Sequence, residues 1–279
     1  MAERAALSEA IYRAVGDAAV TLRPDVRAAL ESALAIEPSE RGRSVIGQLL
    51  ENAAIAAADR VPLCQDTGTA WVRLTFGADG PVPAGLQALA NDAVARAYRD
   101  FGLRASTVRD ALLDRSNPGD NAPAFLEVTF RPGTGVRVEV MLKGGGSDNA
   151  SALAMLPPSA GLGGVRDFLL ATVEAKATGA CPPLLIGLAV GGTFDTVAGL
   201  AKKALLRPIG TPAASDEAAV IERELLGAVN ATGIGPAGLG GATTALAVHL
   251  VTAPCHIAAL PVAVNLGCCA VRSSVVEVA

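Results

Sequence analysis

The stretch PLCQDTGTA, residues 62–70, sets a thiol (Cys64), an amide (Gln65), a carboxylate (Asp66) and a hydroxyl (Thr67) in succession, with Gly68 loosening the backbone behind them. Neither a helix nor a strand needs such a cluster for packing. A thiolate can bind metal or attack an electrophile, and a carboxylate beside it can accept or deliver a proton. Four more cysteines follow: Cys181, Cys255, Cys268 and Cys269. Cys64, Cys181 and Cys268 each fall in a turn punctuated by glycine or proline, in PLCQDTG, GACPP and NLGCC. Prolines recur beside cysteines that ligate iron–sulfur clusters. From spacing alone two readings stand, cluster ligands or inert buried thiols. No CxxC pair exists, so the usual zinc-ribbon spacings are absent. An odd number of cysteines without an export signal argues against a disulfide framework.

Further candidates lie elsewhere along the chain. KGGGSDN (143–149) carries three glycines, which let backbone pass close to a ligand, with Lys143, Ser147 and Asn149 as donors. Successive amides there, around Gly145, can cradle an anion, although a plain loose turn has the same letters. Arg104, in GLRAS, can fork onto a carboxylate with two parallel hydrogen bonds, or be one more surface arginine. There are two histidines. His249 sits inside the apolar run ALAVHL and reads as a satisfied core residue, whereas His256 lies at a turn beside Pro254 and is the better acid–base candidate. GIGPAG (233–238) spells GxGxxG, but a helix precedes it, Pro236 sits inside it and no acidic residue follows at the distance a ribose needs, so a dinucleotide site is rejected.

These residues need a frame. The chain has 279 residues, half of them hydrophobic but only 3% aromatic, so the core is built from Ala, Val, Leu and Ile. A chain this apolar is expected to bury surface against another subunit. A net charge of −4 gives no support for binding nucleic acid or an acidic membrane. From Leu225 to Val271 there is no Asp, Glu, Lys or Arg, yet prolines and glycines break every candidate membrane span. The first twenty residues are too charged for a signal peptide. The expectation is a soluble, cytoplasmic protein.

Residues 1–60 read as helical, with Val45, Ile46, Leu49, Leu50, Ala53 and Ala54 on one face. AWVRLTFG (70–77) alternates like a strand, 82–102 reads as a helix capped by Gly102, and 125–142 reads as a β-hairpin around Pro-Gly. Helices are expected at 163–178, 196–206 and 215–233, the last capped by Ser215, and strands at 184–190 and 260–265. The fold class is α/β in the mixed α+β sense: a helical N-terminal segment followed by mixed-sheet subdomains.

Read together, PLCQDTGTA, LRAS, NPGDNAPA, KGGGSDNASALAMLPPSAG, GACPPLLIGLAVGGTFDTVAGLAKKALLR and GLGGATTALAVHL with CHIAALPVAVNLGCCAVR span about 60–272. In that order they resemble the class I fumarase family, the oxygen-sensitive iron–sulfur hydro-lyases, with their tartrate-dehydratase relatives. The resemblance implies one hydro-lyase alpha domain over 1–279, with room for two subdomains around an iron–sulfur site and 1–60 as the helical lead-in. It implies that Cys64, Cys181 and Cys268 hold one 4Fe–4S cluster, with Cys255 and Cys269 as non-ligands. Three thiolates on four irons leave one iron open as a Lewis acid for substrate oxygen. By the same resemblance Asp66 and His256 form the acid-side pair, Gln65 points at substrate, and Arg104, Lys143 and the backbone at Gly145 grip its carboxylates. The implied reaction is reversible hydration of fumarate to L-malate, with L-tartrate or mesaconate as alternative chemistry and a non-catalytic cluster-bearing subunit as the alternative of another class. Because the chain stops soon after Cys268, the expectation is an alpha subunit whose site a separate beta chain completes, in an (αβ)2 assembly. Three features depart from the family pattern: Arg272 is followed by Ser273 where a second basic residue is usual, Asp148 replaces a glutamate, and Cys268 and Cys269 form a double cysteine. These leave the substrate open.

Overall fold

The computed structural model describes residues 2–279. The chain runs α1 (Ala2–Val20), α2 (Pro24–Ile36), α3 (Glu40–Asp59), β1 (Thr69–Gly77), α4 (Leu86–Asp100), β2 (Phe125–Arg131) and β3 (Val136–Lys143). It continues α5 (Gly145–Asn149), β4 (Ala152–Leu156), α6 (Gly161–Lys176), β5 (Leu184–Val190), α7 (Thr196–Ala204), α8 (Asp216–Asn230), β6 (Ala245–Thr252), β7 (Leu260–Gly267) and β8 (Ser273–Val278). The mixed α/β class and the helical N-terminal segment are as the sequence predicts. No helix among the described residues is long and apolar enough to cross a membrane. Two compact units form. The first takes the chain up to Arg23, Asn52–Gly145 and Arg272–Ala279; the second takes Pro24–Glu51 and Gly146–Val271.

The first unit is a four-stranded sheet in the order β2-β1-β3-β8. Alternation in β1 sends Ala70, Val72, Leu74 and Phe76 into a core shared with Ile11 and Val15 of α1 and Val94 and Tyr98 of α4. Arg73 points the other way and pairs with Glu127 and Glu139, and Arg137 links Glu139 to Glu277. Each buried Val or Leu stabilises by roughly 1.5–3 kcal/mol, whereas an exposed ion pair contributes about 0–1, so the apolar face decides which side the helices cover. The predicted 125–142 hairpin is corrected here. Both strands exist, but β1 lies between them, parallel to β2 and antiparallel to β3. The Pro-Gly turn is instead a bridge over the end of β1, whose residues Gly77, Ala78 and Asp79 donate to Gly135, Arg131 and Gly133 carbonyls.

The second unit is also a four-stranded sheet, in the order β4-β7-β5-β6. LLIGLAV of β5 is buried along nearly its whole length, as a central strand covered on both faces should be. Leu169 and Val173 of α6 and Leu225 and Val229 of α8 share a core with Leu184, Ile186 and Leu188. Val197 and Ala201 of α7 pack with Ala189 and Ala263. Gly187 is glycine because α7 crosses closely: a Cβ there would stand 2.0 Å from the Ala201 carbonyl oxygen. Ser215 caps α8 as predicted, its hydroxyl accepting the Ala218 N–H at 3.2 Å. Ser215→Ala should cost about 1 kcal/mol of unfolding free energy, measured in denaturant. Strands β4 and β8 and the short helix α5 are not foreseen by the sequence reading. GIGPAG holds a 3-10 turn at Pro236–Gly238.

Glu37, at the end of α2, is buried and accepts the N–H groups of Ser39, Ala242 and Thr243. Burial pushes its carboxyl up, but the Ala242 and Ser39 amides and Thr243 outweigh it, so it is held below the ordinary 4.5. A group lowered in this way adds stability above its ordinary value and loses it as pH falls through the folded value. Glu37→Gln should therefore flatten the stability loss between about pH 5 and about pH 3. A slope identical to that of the parent chain would remove Glu37 from the acid response.

Candidate functional site

The candidate residues divide between the two units. In the first, α4 ends in a left-handed glycine turn: Gly102 takes φ +62, its N–H donates to Arg99 O, and the Leu103 N–H reaches back to Tyr98 O. That turn delivers Arg104 to the surface, where its guanidinium is exposed and has no ion-pair partner among the described residues. Cys64 to Gly68 form a loop between α3 and β1. The loop is anchored through its backbone. Asn52 donates to Leu63 O, and the Leu63 N–H donates to Ala19 O. Tyr98 Oη donates to the carbonyls of Thr67 and Gly68, and Arg272 Nη1 to that of Asp66. Burial pushes the Tyr98 phenol far above its usual range, against the opposing pull of Arg272, so it stays a donor. A buried carbonyl left without a donor costs about 1–3 kcal/mol, which makes these anchors strong.

Both Asp66 oxygens are engaged. Oδ1 accepts the Gly68 N–H at 3.1 Å and Oδ2 the Gly145 N–H at 2.8 Å. The Gly145 amide that the resemblance gives to substrate thus holds Asp66 here, and KGGGSDN opens the helix α5 rather than a loose turn. Gly144 is tightly enclosed: a Cβ would stand 3.1 Å from Asp66 Oδ2 and 3.2 Å from Arg272 Nη2. Lys143 ends β3 and is only 4% exposed. Cys64 is partly exposed, with its Sγ donating to Gln65 Oε1 at 3.1 Å. Sequence reasoning gave no role to Tyr98 or Asn121 and noted Arg272 only as a basic residue after the third cysteine; their part shows only in the long-range hydrogen bonds they make.

In the second unit, sheet pairing brings Cys181 and Cys268 to one end. Cys181 lies three residues before β5, Cys268 directly follows β7, and the two strands are antiparallel with Leu185 opposite Gly267. The Cys269 N–H donates to Cys181 O at 3.1 Å, clamping the turns together. Cys181 takes a left-handed backbone (φ 56, ψ 73) after a 3-10 turn. His256 stands at the other end of this sheet, in the link from β6 to β7. The seven residues of β5 separate the two ends by about 20 Å. The GG pair of GGTFDT shapes the His256 end: the Gly191 N–H donates to Pro261 O and the Gly192 N–H to Pro254 O. His256 is exposed and is followed by Ile257, itself 93% exposed. Its Nδ1 accepts the Ala258 N–H at 3.1 Å, so the ring proton sits on Nε2, ready to be donated outward. His249 has the opposite arrangement, buried with Nδ1 bonded to Ala204 O at 3.1 Å.

The donor set fits an iron–sulfur cluster. All five cysteines are free thiols, none fully buried, and two of the three candidates already share one sheet end. Among the described residues no three His, Cys, Asp or Glu side chains are grouped to hold a single metal ion. A cubane does not need such a group, since each of its thiolates binds a different iron.

A sequence model of the family described as Fumarate hydratase (Fumerase) matches residues 8–277. A protein of Methanocaldococcus jannaschii, provisionally named L(+)-tartrate dehydratase subunit alpha, is 38% identical over 275 residues, 96% of this chain and 96% of its own. L(+)-tartrate dehydratase subunit alpha of Escherichia coli strain UTI89 is 32% identical over 244 residues, 87% of this chain and 80% of its own. The protein of the same name from Escherichia coli O157:H7 is 33% identical over 238 residues, 85% of this chain and 78% of its own.

Proposed function

The chain belongs to the fumarate hydratase (Fumerase) family, and from that premise we propose that it is the alpha subunit of an iron–sulfur hydro-lyase that reversibly hydrates fumarate to L-malate. The observation that carries this reading is the family match along 8–277, which takes in every candidate site residue. Cys64, Cys181 and Cys268 hold a 4Fe–4S cluster. When bound, the cluster supplies a Lewis-acidic iron that makes hydroxide a better leaving group.

The chain's own residues handle the substrate and one proton. Arg104, exposed and without an ion-pair partner, forks onto a carboxylate. Gln65 presents its amide beside Cys64 and orients the substrate. Lys143, only 4% exposed, is the further cation that the resemblance assigns to the substrate carboxylates. Asp66 and His256 are the acid-side pair that the resemblance implies; within the second unit His256 stands about 20 Å from the end that carries Cys181 and Cys268, so its part as proton donor rests on the His256→Asn test. The opposite proton, next to the substrate carboxylate, is taken by a base on a separate beta chain, in an (αβ)2 assembly. The designation "subunit alpha" on the relatives supports such a partner. The compartment on this reading is the cytoplasm, where thiols stay reduced.

A second substrate has its own support. The matched relatives are named for L(+)-tartrate. Tartrate carries one more hydroxyl than malate, and a site built to hydrogen-bond that group discriminates strongly. The alpha chain, purified anaerobically with its beta partner, should be assayed on fumarate, L-malate, L(+)-tartrate and mesaconate. Faster turnover of fumarate and malate supports the first reading. Faster turnover of tartrate moves the assignment to tartrate. Turnover of none of the four would overturn the hydro-lyase reading.

A further inference from the structure

Asn121 belongs to NPGDNAPA, a motif that the proposed chemistry leaves without a task. It is fully buried, at 0% exposure, and takes the left-handed backbone (φ 55) that asparagine tolerates better than most residues. Its side-chain amide faces two loops at once. Oδ1 accepts the Ser106 N–H at 2.7 Å and the Thr107 N–H and Thr107 hydroxyl at 3.2 Å each. Nδ2 donates to Gly68 O at 3.1 Å. Two backbone donors on one side and a carbonyl on the other fix which end of the amide is oxygen. A second tie runs parallel: Thr67 Oγ1 donates to Arg104 O. Thr67 is itself buried, at 2% exposure. All these residues lie in the first unit.

The two loops so joined are the one that carries Cys64 to Asp66 and the one that carries Arg104. The first is short, the second is the long irregular stretch 101–124 to which Asn121 itself belongs, and irregular segments drift unless tied down. Arg104 extends from the surface with no side-chain partner of its own, so only its backbone can be registered. The ties act on that backbone, at Arg104 O and at the amides of Ser106 and Thr107 immediately after it. We propose that Asn121, with Thr67 as its helper, is a positioning residue that sets the distance between the Arg104 guanidinium and the Asp66 loop, and thereby the length of dicarboxylate the site accepts. The inference rests on the reading of Arg104 as a carboxylate binder. Asn121 touches no substrate and acts only through Arg104. Displacements of about 1 Å at a positioning group cost as much as 10²-fold in rate.

Asn121→Asp is the sharpest variant. It keeps the shape, the left-handed tolerance and the acceptor facing Ser106 and Thr107, and exchanges the donor facing Gly68 O for a carboxylate oxygen, which also brings a negative charge to a fully buried position. The alpha chain in complex with its beta partner is assayed for KM, kcat and competitive inhibition by succinate, alongside Arg104→Lys, the double variant, Thr67→Val and Thr67→Ser. Asn121→Asp is expected to raise KM and the succinate inhibition constant at least about tenfold with a smaller change in kcat, and the double variant to be no worse than Arg104→Lys alone, the non-additivity of residues acting as one unit. Thr67→Val is expected to move the same constants, and Thr67→Ser to restore them. If Arg104→Lys raises KM while Asn121→Asp and Thr67→Val do not, or the effects simply add, the positioning role is overturned and the carboxylate reading survives. If Arg104→Lys itself leaves KM unchanged, the carboxylate reading falls and the inference with it. Should Asn121→Asp fail to fold, the Thr67 pair decides by the same criteria.

Discussion

Replacing Asp66 by asparagine should lower turnover by at least about 10²-fold, the usual size of an acid–base contribution, and leave the iron and sulfide content as it is. The two halves of that expectation come from different atoms. The loop that carries Asp66 is anchored through main-chain carbonyls: Arg272 on Asp66 O, Tyr98 on Thr67 O and Gly68 O, Asn121 on Gly68 O. None of these anchors uses the Asp66 side chain. Cys64, on the same loop, therefore keeps its place when the carboxylate is removed. The side chain itself accepts N–H groups on both oxygens, from Gly68 and Gly145. Asparagine can satisfy one of these amides and opposes the other with its own N–H. The cost is a lost hydrogen bond to a charged group, about 1.5–3 kcal/mol, absorbed locally. Unchanged turnover in Asp66→Asn would take Asp66 out of the mechanism. If His256 is its partner, His256→Asn should cost a similar factor, and the two together little more than either alone. Strict additivity would separate His256, which lies at the far end of its own sheet from the thiols, from the acid side.

Cys268→Ser should abolish the cluster and all turnover, whereas Cys269→Ser should retain both. The pair is adjacent, and the structure treats the two residues differently. Cys269 uses its backbone N–H to hold the Cys181 turn. That contact survives any side-chain change at 269, so Cys269→Ser leaves the geometry of the Cys181 end in place. Cys268 follows Gly267, whose missing side chain lets the end of β7 lie against β5: a Cβ there would meet Leu185 O at 3.0 Å. Serine oxygen is a poor substitute for a thiolate toward iron. Iron and acid-labile sulfide should fall to background in Cys268→Ser and stay at the parent level in Cys269→Ser. The opposite pattern would reverse the ligand assignment.

Much of this was legible in the residues, for identifiable reasons. The helices announced themselves by apolar spacing, and Ser215 and Gly102 marked ends of helices because capping and left-handed turns demand those residue types. β5 was readable because a strand covered on both faces is an unbroken apolar run. The 125–142 hairpin misled because a Pro-Gly turn between two β-rich runs is a local signal, and the insertion of β1 between them is decided by long-range pairing. β4 and β8 are edge strands, short and mixed in pattern, and carry little signal of their own. α5 was hidden by three glycines, poor helix formers; Gly144 lies close to Asp66, and a Cβ at Gly146 would stand 2.5 Å from Gly179 O. At the site, the reactive residues stood out by type, whereas Tyr98, Asn121 and Arg272 did not. A tyrosine on a helix or an asparagine in a loop looks ordinary until the carbonyl it satisfies is known.

The central claim is that Cys64, Cys181 and Cys268 hold one iron–sulfur cube with an iron left open for substrate. Iron and acid-labile sulfide, assayed on the alpha–beta complex isolated without oxygen, test it most directly. The account predicts about four of each per complex of one alpha and one beta chain, the stoichiometry of a single cubane. Zinc in their place, with no acid-labile sulfide, would contradict it.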